Sequence, residues 1–172
     1  MMFTSCGYRF GERGILAQYK SVSVPYVEGD KNGTLTAAIA KELSSAGKDY
    51  KQSDGALTLK IKIMDSRDEN IGFRYDRDNN NVILKDVVQS EGRVSIIIEV
   101  SVEETSTGKV LVGPKLMAAS SDYDYAFSNS CDNMLQFSLG QIDTADVARD
   151  AAAESANRVL ARKIVDYVNY MW

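Results

Sequence analysis

Two stretches of alternating apolar and polar residues limit the possible folds of this chain more than any other feature. Across Leu57–Met64, leucine and isoleucine alternate with threonine, lysine and a final methionine. Across Val94–Glu103, isoleucine and valine alternate mainly with serine and glutamate. Successive side chains of a strand point to opposite faces of a sheet, so each stretch predicts a strand with one buried and one exposed face. Such strands are typical of antiparallel sheets that are covered on one face only.

The rest of the chain adds further strands and two amphipathic helices. Apolar residues recur at steps of three and four in Thr34–Ala46 and Thr144–Tyr170, which predicts helices with Thr34 and Thr144 as N-caps and with Val147 in the second apolar stripe. The first predicted strand covers Tyr19–Val27, and Pro25 places it at a sheet edge or ends it. The other predicted segments are strands at 73–75 and 82–84 around a turn at 79–81, a hairpin turn at 105–109, a strand at 110–125 and a loop at 126–143.

The order of these elements predicts one domain of the α+β class. We expect about four strands in a largely antiparallel, mixed sheet, with two helices packed on one of its faces. A chain of 172 residues without a repeat or a linker has the usual length of one domain. The predicted domain covers residues 6–172.

The composition excludes several classes of function. The chain has no histidine, which removes Ser-His-Asp and Cys-His catalysis and histidine-based zinc sites. Its 20 lysines and arginines against 24 aspartates and glutamates give a net charge of −4, whereas nucleic-acid binders carry a basic excess. We therefore expect no histidine-dependent catalysis and no nucleic-acid binding, and neither a cofactor nor a metal; an enzyme that uses Cys131 or the acidic pairs is the least favoured alternative.

Short fragments that resemble catalytic or metal-binding motifs are better explained as turns or solvated groups. Gly108-Lys109 lacks the first glycine and the final serine or threonine of a P-loop, which favours a β-turn. Asp76–Val87 begins like an EF-hand calcium loop but ends in valine where the bidentate glutamate belongs, which favours a hairpin loop. The acidic pairs Asp122/Asp124 and Glu103/Glu104 have no neighbours that would favour general acid catalysis.

The two cysteines, Cys6 and Cys131, allow more than one interpretation. A single long-range disulfide is compatible with an oxidising compartment, and two unrelated thiols are the plainer alternative. Cys6 has the more specific context, because Ser5 and Gly7 flank it and Phe3 stands three residues before it, as at the cleavage site of bacterial lipoproteins. On this interpretation residues 1–5 are the remnant of the signal and lipobox region.

Four cations, here called the basic strip, follow the first alternating strand and its continuation: Lys60, Lys62, Arg67 and Arg74. Lysine binds phosphate as a point charge and arginine binds it as a planar fork, so the basic strip suits a ligand with phosphate groups. The alternative is that these side chains only keep an exposed face soluble and protect a sheet edge.

The N-terminal residues and the order of the elements resemble one known family. Cys6-Gly7-Tyr8-Arg9-Phe10 resembles the mature start of LptE-type lipopolysaccharide-assembly lipoproteins, and Tyr19–Tyr26 is similar to the first strand of that family. The helix, the alternating strands and the long alanine-rich C-terminal helix then follow in the family's order.

This resemblance implies a specific role. It implies a lipoprotein of the Gram-negative outer membrane that faces the periplasm, is acylated at Cys6, plugs an LptD-like β-barrel and binds lipopolysaccharide, without being an enzyme. Gly7, in place of an inner-membrane retention aspartate, implies sorting to the outer membrane. No lipid-contacting motif of the family aligns, so the basic strip is the predicted lipopolysaccharide site. An envelope lipoprotein of the same fold that serves as a scaffold for another complex is the alternative.

Overall fold

Five strands form one open, mixed sheet, and two helices pack on one of its faces. The computed structural model describes residues 19, 21–47, 49–77, 80–124 and 145–170. The elements are β1 (Ser21–Ser23), α1 (Thr34–Ser45), β2 (Asp49–Lys51), β3 (Leu57–Arg77), β4 (Ile83–Glu104), β5 (Val110–Asp124) and α2 (Ala145–Tyr170). The strand order is β2-β1-β3-β4-β5, in which β1 is parallel to both neighbours and the remaining pairs are antiparallel. The predicted α+β fold is confirmed, with one strand more than predicted.

The additional strand is β2, which pairs with β1 at the edge of the sheet. Its three side chains are exposed or half-buried, so it has no apolar alternation that would reveal it in the sequence. The strand β1 is equally short. It ends before Pro25, as predicted, because proline has no N–H to donate to a neighbouring strand.

The core lies between the sheet and the helices, and the alternating residues of β3 and β4 form its sheet side. Both predicted alternations are confirmed. The buried strand residues are Leu57, Leu59, Ile61, Val94, Ile96, Ile98, Val100 and Val102, and α1 and α2 cover them with Leu35, Ile39, Leu43, Leu160 and Ile164. Each such side chain stabilises the fold by about 1.5–3 kcal/mol relative to full exposure.

The start of α1 differs from the predicted cap. Gly33, not Thr34, is the N-cap residue and has no side chain to offer, and Thr34 is the first helical residue. The carboxylate of Asp30 instead accepts hydrogen bonds from the backbone N–H and the hydroxyl of Thr36, at 2.8 and 2.7 Å. At the other end, Gly47 stops the helix as predicted, with a φ of +71°.

Among the described residues, the apolar stripe of α2 is confirmed except at its first member. Ala148, Ala152 and Ala156 are buried, whereas Val147 is 53% exposed. Neighbouring residues of a helix point about 100° apart, so Val147 and Ala148 do not share one face. The predicted cap Thr144 and the predicted loop at 126–143 lie outside the described residues. Within the described part of the chain, neither helix is long and apolar enough to span a bilayer.

The strands β3 and β4 are far longer than the predicted segments, at 21 and 22 residues. β3 continues through the polar stretch that follows Met64, because hydrogen bonding to β4 requires no apolar side chains. Ile63 pairs with Ile98 and Asp65 pairs with Ile97, which leaves Met64 as the extra residue of a β-bulge.

Candidate functional site

Three members of the basic strip lie on the outer face of the sheet, which is the face opposite the helices. Lys60 and Lys62 alternate with buried residues of β3 and pair with Ser101 and Glu99 of β4. Arg67 pairs with Ser95, on the same face as Glu99, because the bulge shifts the alternation of β3 by one residue. Without that bulge, Arg67 would point to the helix side. Arg74 lies further along β3, opposite Val88.

Each of these three cations has a carboxylate partner. The distances are 2.8 Å from Lys60 Nζ to Glu103 Oε2, 2.7 Å from Lys62 Nζ to Glu28 Oε1 and 2.6 Å from Arg67 Nε to Asp65 Oδ2. The hydrogen bond that Lys62 donates to the Glu28 carboxylate raises the pKa of the Lys62 ammonium group. An anionic ligand at the basic strip therefore competes with carboxylates that are already in place.

Glu28 is the member of this site that the sequence did not reveal. It is 34 residues before Lys62 in a turn segment, and it reaches β3 through an isolated parallel bridge to Lys62. The backbone groups of Glu28 bond to those of Ile61 and Ile63, with N···O distances of 3.1 and 2.8 Å. The only signal in the sequence is the strand-like segment before it. That segment predicts strand pairing, but it does not show which strand is the partner.

A shallow groove runs along the outer face between the segment that follows β1 and the strands β3 and β4. It has a volume of about 320 Å³, and its lining includes Tyr26, Lys60, Lys62, Glu99 and Ser101. Its side chains offer an aromatic surface, two ammonium groups and several hydroxyl and carboxylate groups. This arrangement suits the binding of a polar or charged ligand by hydrogen bonds.

The other acidic residues that the sequence analysis weighed form ion pairs and hydrogen bonds. Asp122 accepts two hydrogen bonds from Arg93, at 2.6 and 2.8 Å, and this interaction lowers the pKa of its carboxyl group. Glu104 accepts hydrogen bonds from Thr107 and Tyr19, which lower the pKa of its carboxyl group. No cluster of metal-ligating side chains occurs among the described residues.

The end of the β3–β4 hairpin projects beyond the rest of the sheet. Among the described residues, the pairing of β5 with β4 stops at Asp124 and Glu91, and the remainder of β3 and β4 forms a two-stranded ribbon, here called the ribbon. The predicted hairpin loop at Asp76–Val87 falls at the far end of the ribbon, where β3 ends at Arg77 and β4 begins at Ile83. Cys6 and Cys131 lie outside the described residues.

The ribbon carries a group of exposed apolar side chains that the sequence analysis did not recognise as a surface. Their exposed fractions are between 52 and 60%, and the residues are Phe73, Tyr75, Val82, Ile83 and Val87. A two-stranded ribbon alone is marginally stable in water, and exposed apolar patches mark contact surfaces. The strand pattern around Phe73 was a usable signal, but only the fold shows that no helix among the residues the structure describes covers this surface.

Comparison with known proteins shows what this fold resembles. The sequence matches no known protein-family model and no curated protein. Among solved structures, a minor lipoprotein from Acinetobacter baumannii matches with a TM-score of 0.53 at 14% identity, over 88% of this chain and 91% of that chain. A candidate lipoprotein from Caulobacter crescentus matches with a TM-score of 0.54 at 17% identity, over 87% of this chain and 88% of that chain.

A third solved structure is a Xanthomonas campestris protein of the family DUF330. It matches with a TM-score of 0.50 at 12% identity, over 88% of this chain and 83% of that chain. At these identities the likeness is one of fold. The chain therefore has a fold that also occurs in bacterial lipoproteins.

Proposed function

We propose that this protein is an outer-membrane lipoprotein on the periplasmic face, anchored by acyl chains on Cys6, and that it is a non-enzymatic subunit of the lipopolysaccharide transport machine. The observation that carries the proposal is the fold, because solved structures of the same fold are described as lipoproteins. The residues around Cys6 support it independently, since they resemble the mature start of such a protein.

The proposed ligand is lipopolysaccharide, bound through its phosphate groups on the outer face. The basic strip supplies the cations, and the groove beside Lys60 and Lys62 supplies a surface of suitable chemistry. The ion pairs of these lysines lie at the surface, where such pairs contribute little to stability, so a phosphate can displace the carboxylates.

The proposed partner is an LptD-like β-barrel of the outer membrane, which this protein plugs. The exposed apolar residues of the ribbon support a protein partner, because the exposure of apolar side chains to water does not stabilise a monomer. We assign the ribbon to the contact with the barrel.

Lipid attachment is tested with a Cys6→Ser variant of the full-length precursor in a Gram-negative host. We expect the wild-type protein to incorporate labelled palmitate and to fractionate with the outer membrane, and the variant to do neither. Cys131→Ser is the matched control and should behave as wild type. Labelling of the Cys6→Ser variant, or a soluble wild-type protein, would contradict the anchor.

Lipopolysaccharide binding is tested by titration of the purified domain. We expect Lys60→Glu/Lys62→Glu to weaken binding by about tenfold or more, because two attractive charges become repulsive. The matched control is Lys31→Glu/Lys41→Glu, which changes the net charge equally at exposed positions outside the groove. Equal affinity of the two double variants would reject the basic strip as the site.

One observation favours a second candidate function, a scaffold of another envelope complex that does not bind lipopolysaccharide. The paired carboxylates already neutralise Lys60, Lys62 and Arg67, as expected where charged side chains serve only to keep a surface soluble. Pull-down from envelope extract distinguishes the two candidates. An LptD-like barrel that co-purifies with the wild-type protein, and less so with Phe73→Ser/Tyr75→Ser, supports the transport role.

A further inference from the structure

A second, larger groove lies on the opposite side of the sheet from the basic strip, between β5 and α2. It has a volume of about 420 Å³, within the range of small-molecule sites. Its lining comes from three residues of β5 and three of α2: Lys115, Met117, Ala118, Lys163, Asp166 and Tyr167. The groove is open to solvent because β5 is an edge strand of the sheet.

The fold brings these side chains together by simple geometry. Lys115 pairs with the buried Val100 of β4 and therefore points to the helix side of the sheet. On α2, Lys163, Asp166 and Tyr167 are three and four residues apart, which places them on one face of the helix. Lys115 of the edge strand and Lys163 of the helix therefore line the same groove.

The two groove lysines differ from those of the outer face in their partners. Within the described part of the chain, no carboxylate lies within ion-pair distance of Lys115 or Lys163. The ammonium group of Lys115 lies 4.3 Å from the centre of the Tyr167 ring, and that of Lys163 donates to the carbonyl of Ala118 at 2.8 Å. These contacts position both groups and leave donors available, since an ammonium group has three.

The groove also presents apolar surface between the charges. Met117 and Tyr167 are partly buried against the core and line the groove. Partial burial raises the pKa of the Tyr167 hydroxyl. Asp166 is the one acidic lining residue, so the groove has two positive charges against one negative charge.

We propose that the β5–α2 groove binds an anionic amphiphile, an acyl chain that ends in a phosphate or a carboxylate. Lys115 and Lys163 bind the anionic group, and Met117 and Tyr167 contact the chain. The complementarity of charge and of apolar surface carries this assignment. The site is separate from the outer face and depends neither on acylation of Cys6 nor on lipopolysaccharide as the ligand.

The test uses defined probes below their micelle concentrations and isothermal titration of the purified domain. We expect dodecyl phosphate and dodecanoate to bind, and dodecyl maltoside and inorganic phosphate to bind at least tenfold more weakly, because each lacks one half of the recognised chemistry. Binding of only one anionic probe would identify the preferred headgroup and support the site. Equal binding of dodecyl maltoside, or no binding of either anionic probe, would overturn it.

Two variants locate the site. Lys115→Ala/Lys163→Ala should weaken dodecyl phosphate binding by about tenfold or more, whereas Lys41→Ala/Arg162→Ala removes the same charge from exposed helix positions and should leave it unchanged. Circular dichroism confirms that both fold. Equal losses in the two variants would refute the assignment.

A substitution that strengthens binding shows a direct effect on the site, because a general loss of structure would weaken binding. Asp166→Asn removes the repulsive carboxylate and keeps the shape, so we expect dodecyl phosphate to bind a few-fold more tightly. The ligand should also shift the NMR signal of the Met117 methyl group in the wild-type protein. Weaker binding to Asp166→Asn, or a Met117 signal that does not move, would contradict the proposed position.

Discussion

Asp30 shows how one side chain determines where an element begins. It is a buried carboxylate that bonds to Thr36 in the first turn of α1, and its backbone carbonyl accepts a hydrogen bond from the Tyr26 hydroxyl. An anion at this point also compensates the positive end of the helix dipole. The N-cap residue itself is a glycine, so the side chain of Asp30 accepts the backbone hydrogen bond that an N-cap side chain usually accepts.

Replacement of Asp30 by alanine should therefore destabilise the protein. We expect the free energy of unfolding of Asp30→Ala to fall by about 1–2 kcal/mol, the usual effect of losing a capping side chain. Urea denaturation followed by circular dichroism measures it. The matched control is Asp49→Ala, whose side chain is 65% exposed and should change stability by less than about 0.5 kcal/mol. Equal effects would show that Asp30 does not cap α1.

The Arg93–Asp122 pair makes stability depend on pH. The pKa of the Asp122 carboxyl group is lowered in the folded protein, chiefly by the hydrogen bond from Arg93, below its ordinary value of 3.8. A lowered pKa gives stability that is present above that ordinary value and is lost as the pH falls through the folded-state pKa. Asp122→Asn should therefore be less stable than wild type at pH 6, and the difference should shrink below about pH 4.

The pH dependence is measured by urea denaturation of both proteins between pH 3 and pH 7. Asp124→Asn makes the same chemical change two residues further along β5 and serves as the control. Its stability should differ less from that of the wild type than the stability of Asp122→Asn does. A gap between wild type and Asp122→Asn that grows as the pH falls would contradict the assigned sign.

At the level of helices and strands, hydrophobic alternation predicted most of the fold. Leu57–Met64 and Val94–Glu103 became the buried parts of β3 and β4 because one face of each packs against helices. The pattern predicted neither the three-residue β2 nor the unbroken length of β3, because backbone pairing with a neighbouring strand forms both and needs no alternating apolar side chains. The bulge at Met64, which places Arg67 on the outer face, is likewise a property of pairing between two strands.

Substitutions in α2 and in the ribbon should differ in their effect on the free energy of unfolding, because one residue lies in the core and the other on the surface. Leu160 is fully buried, so Leu160→Ala should lower the free energy of unfolding by about 2–5 kcal/mol. Phe73 is 60% exposed on the ribbon, so Phe73→Ser should change it by less than about 1 kcal/mol. Thermal or urea denaturation of the two variants measures both effects. A loss in Phe73→Ser as large as in Leu160→Ala would mean that Phe73 is covered in solution.

In the whole molecule, the candidate sites depend on contacts between distant parts of the chain. The sequence identified Lys60 and Lys62 but not Glu28, since a local pattern does not show which turn comes to lie beside a strand. The β5–α2 groove was missed for the same reason. Lys115 and Lys163 are 48 residues apart, and only the packing of α2 across the edge strand brings them to one cavity.

The same packing predicts an uneven distribution of stability over the molecule. Residues Val94–Val102 of β4 have strands on both sides and the helices above, whereas in the described part of the chain each strand of the ribbon has one neighbour and no helix packs on it. Amides open locally at a lower free energy where fewer contacts hold them.

We therefore expect the amide hydrogens of Val94–Val102 to exchange last, at least about a hundredfold more slowly than those of Gly72–Tyr75 and Val87–Gln89 in the ribbon. Hydrogen exchange measured by mass spectrometry on the isolated domain tests this. Binding of an LptD-like barrel at the ribbon should slow exchange there and leave Val94–Val102 unchanged. Equal protection of both regions in the isolated domain would show that another surface already covers the ribbon.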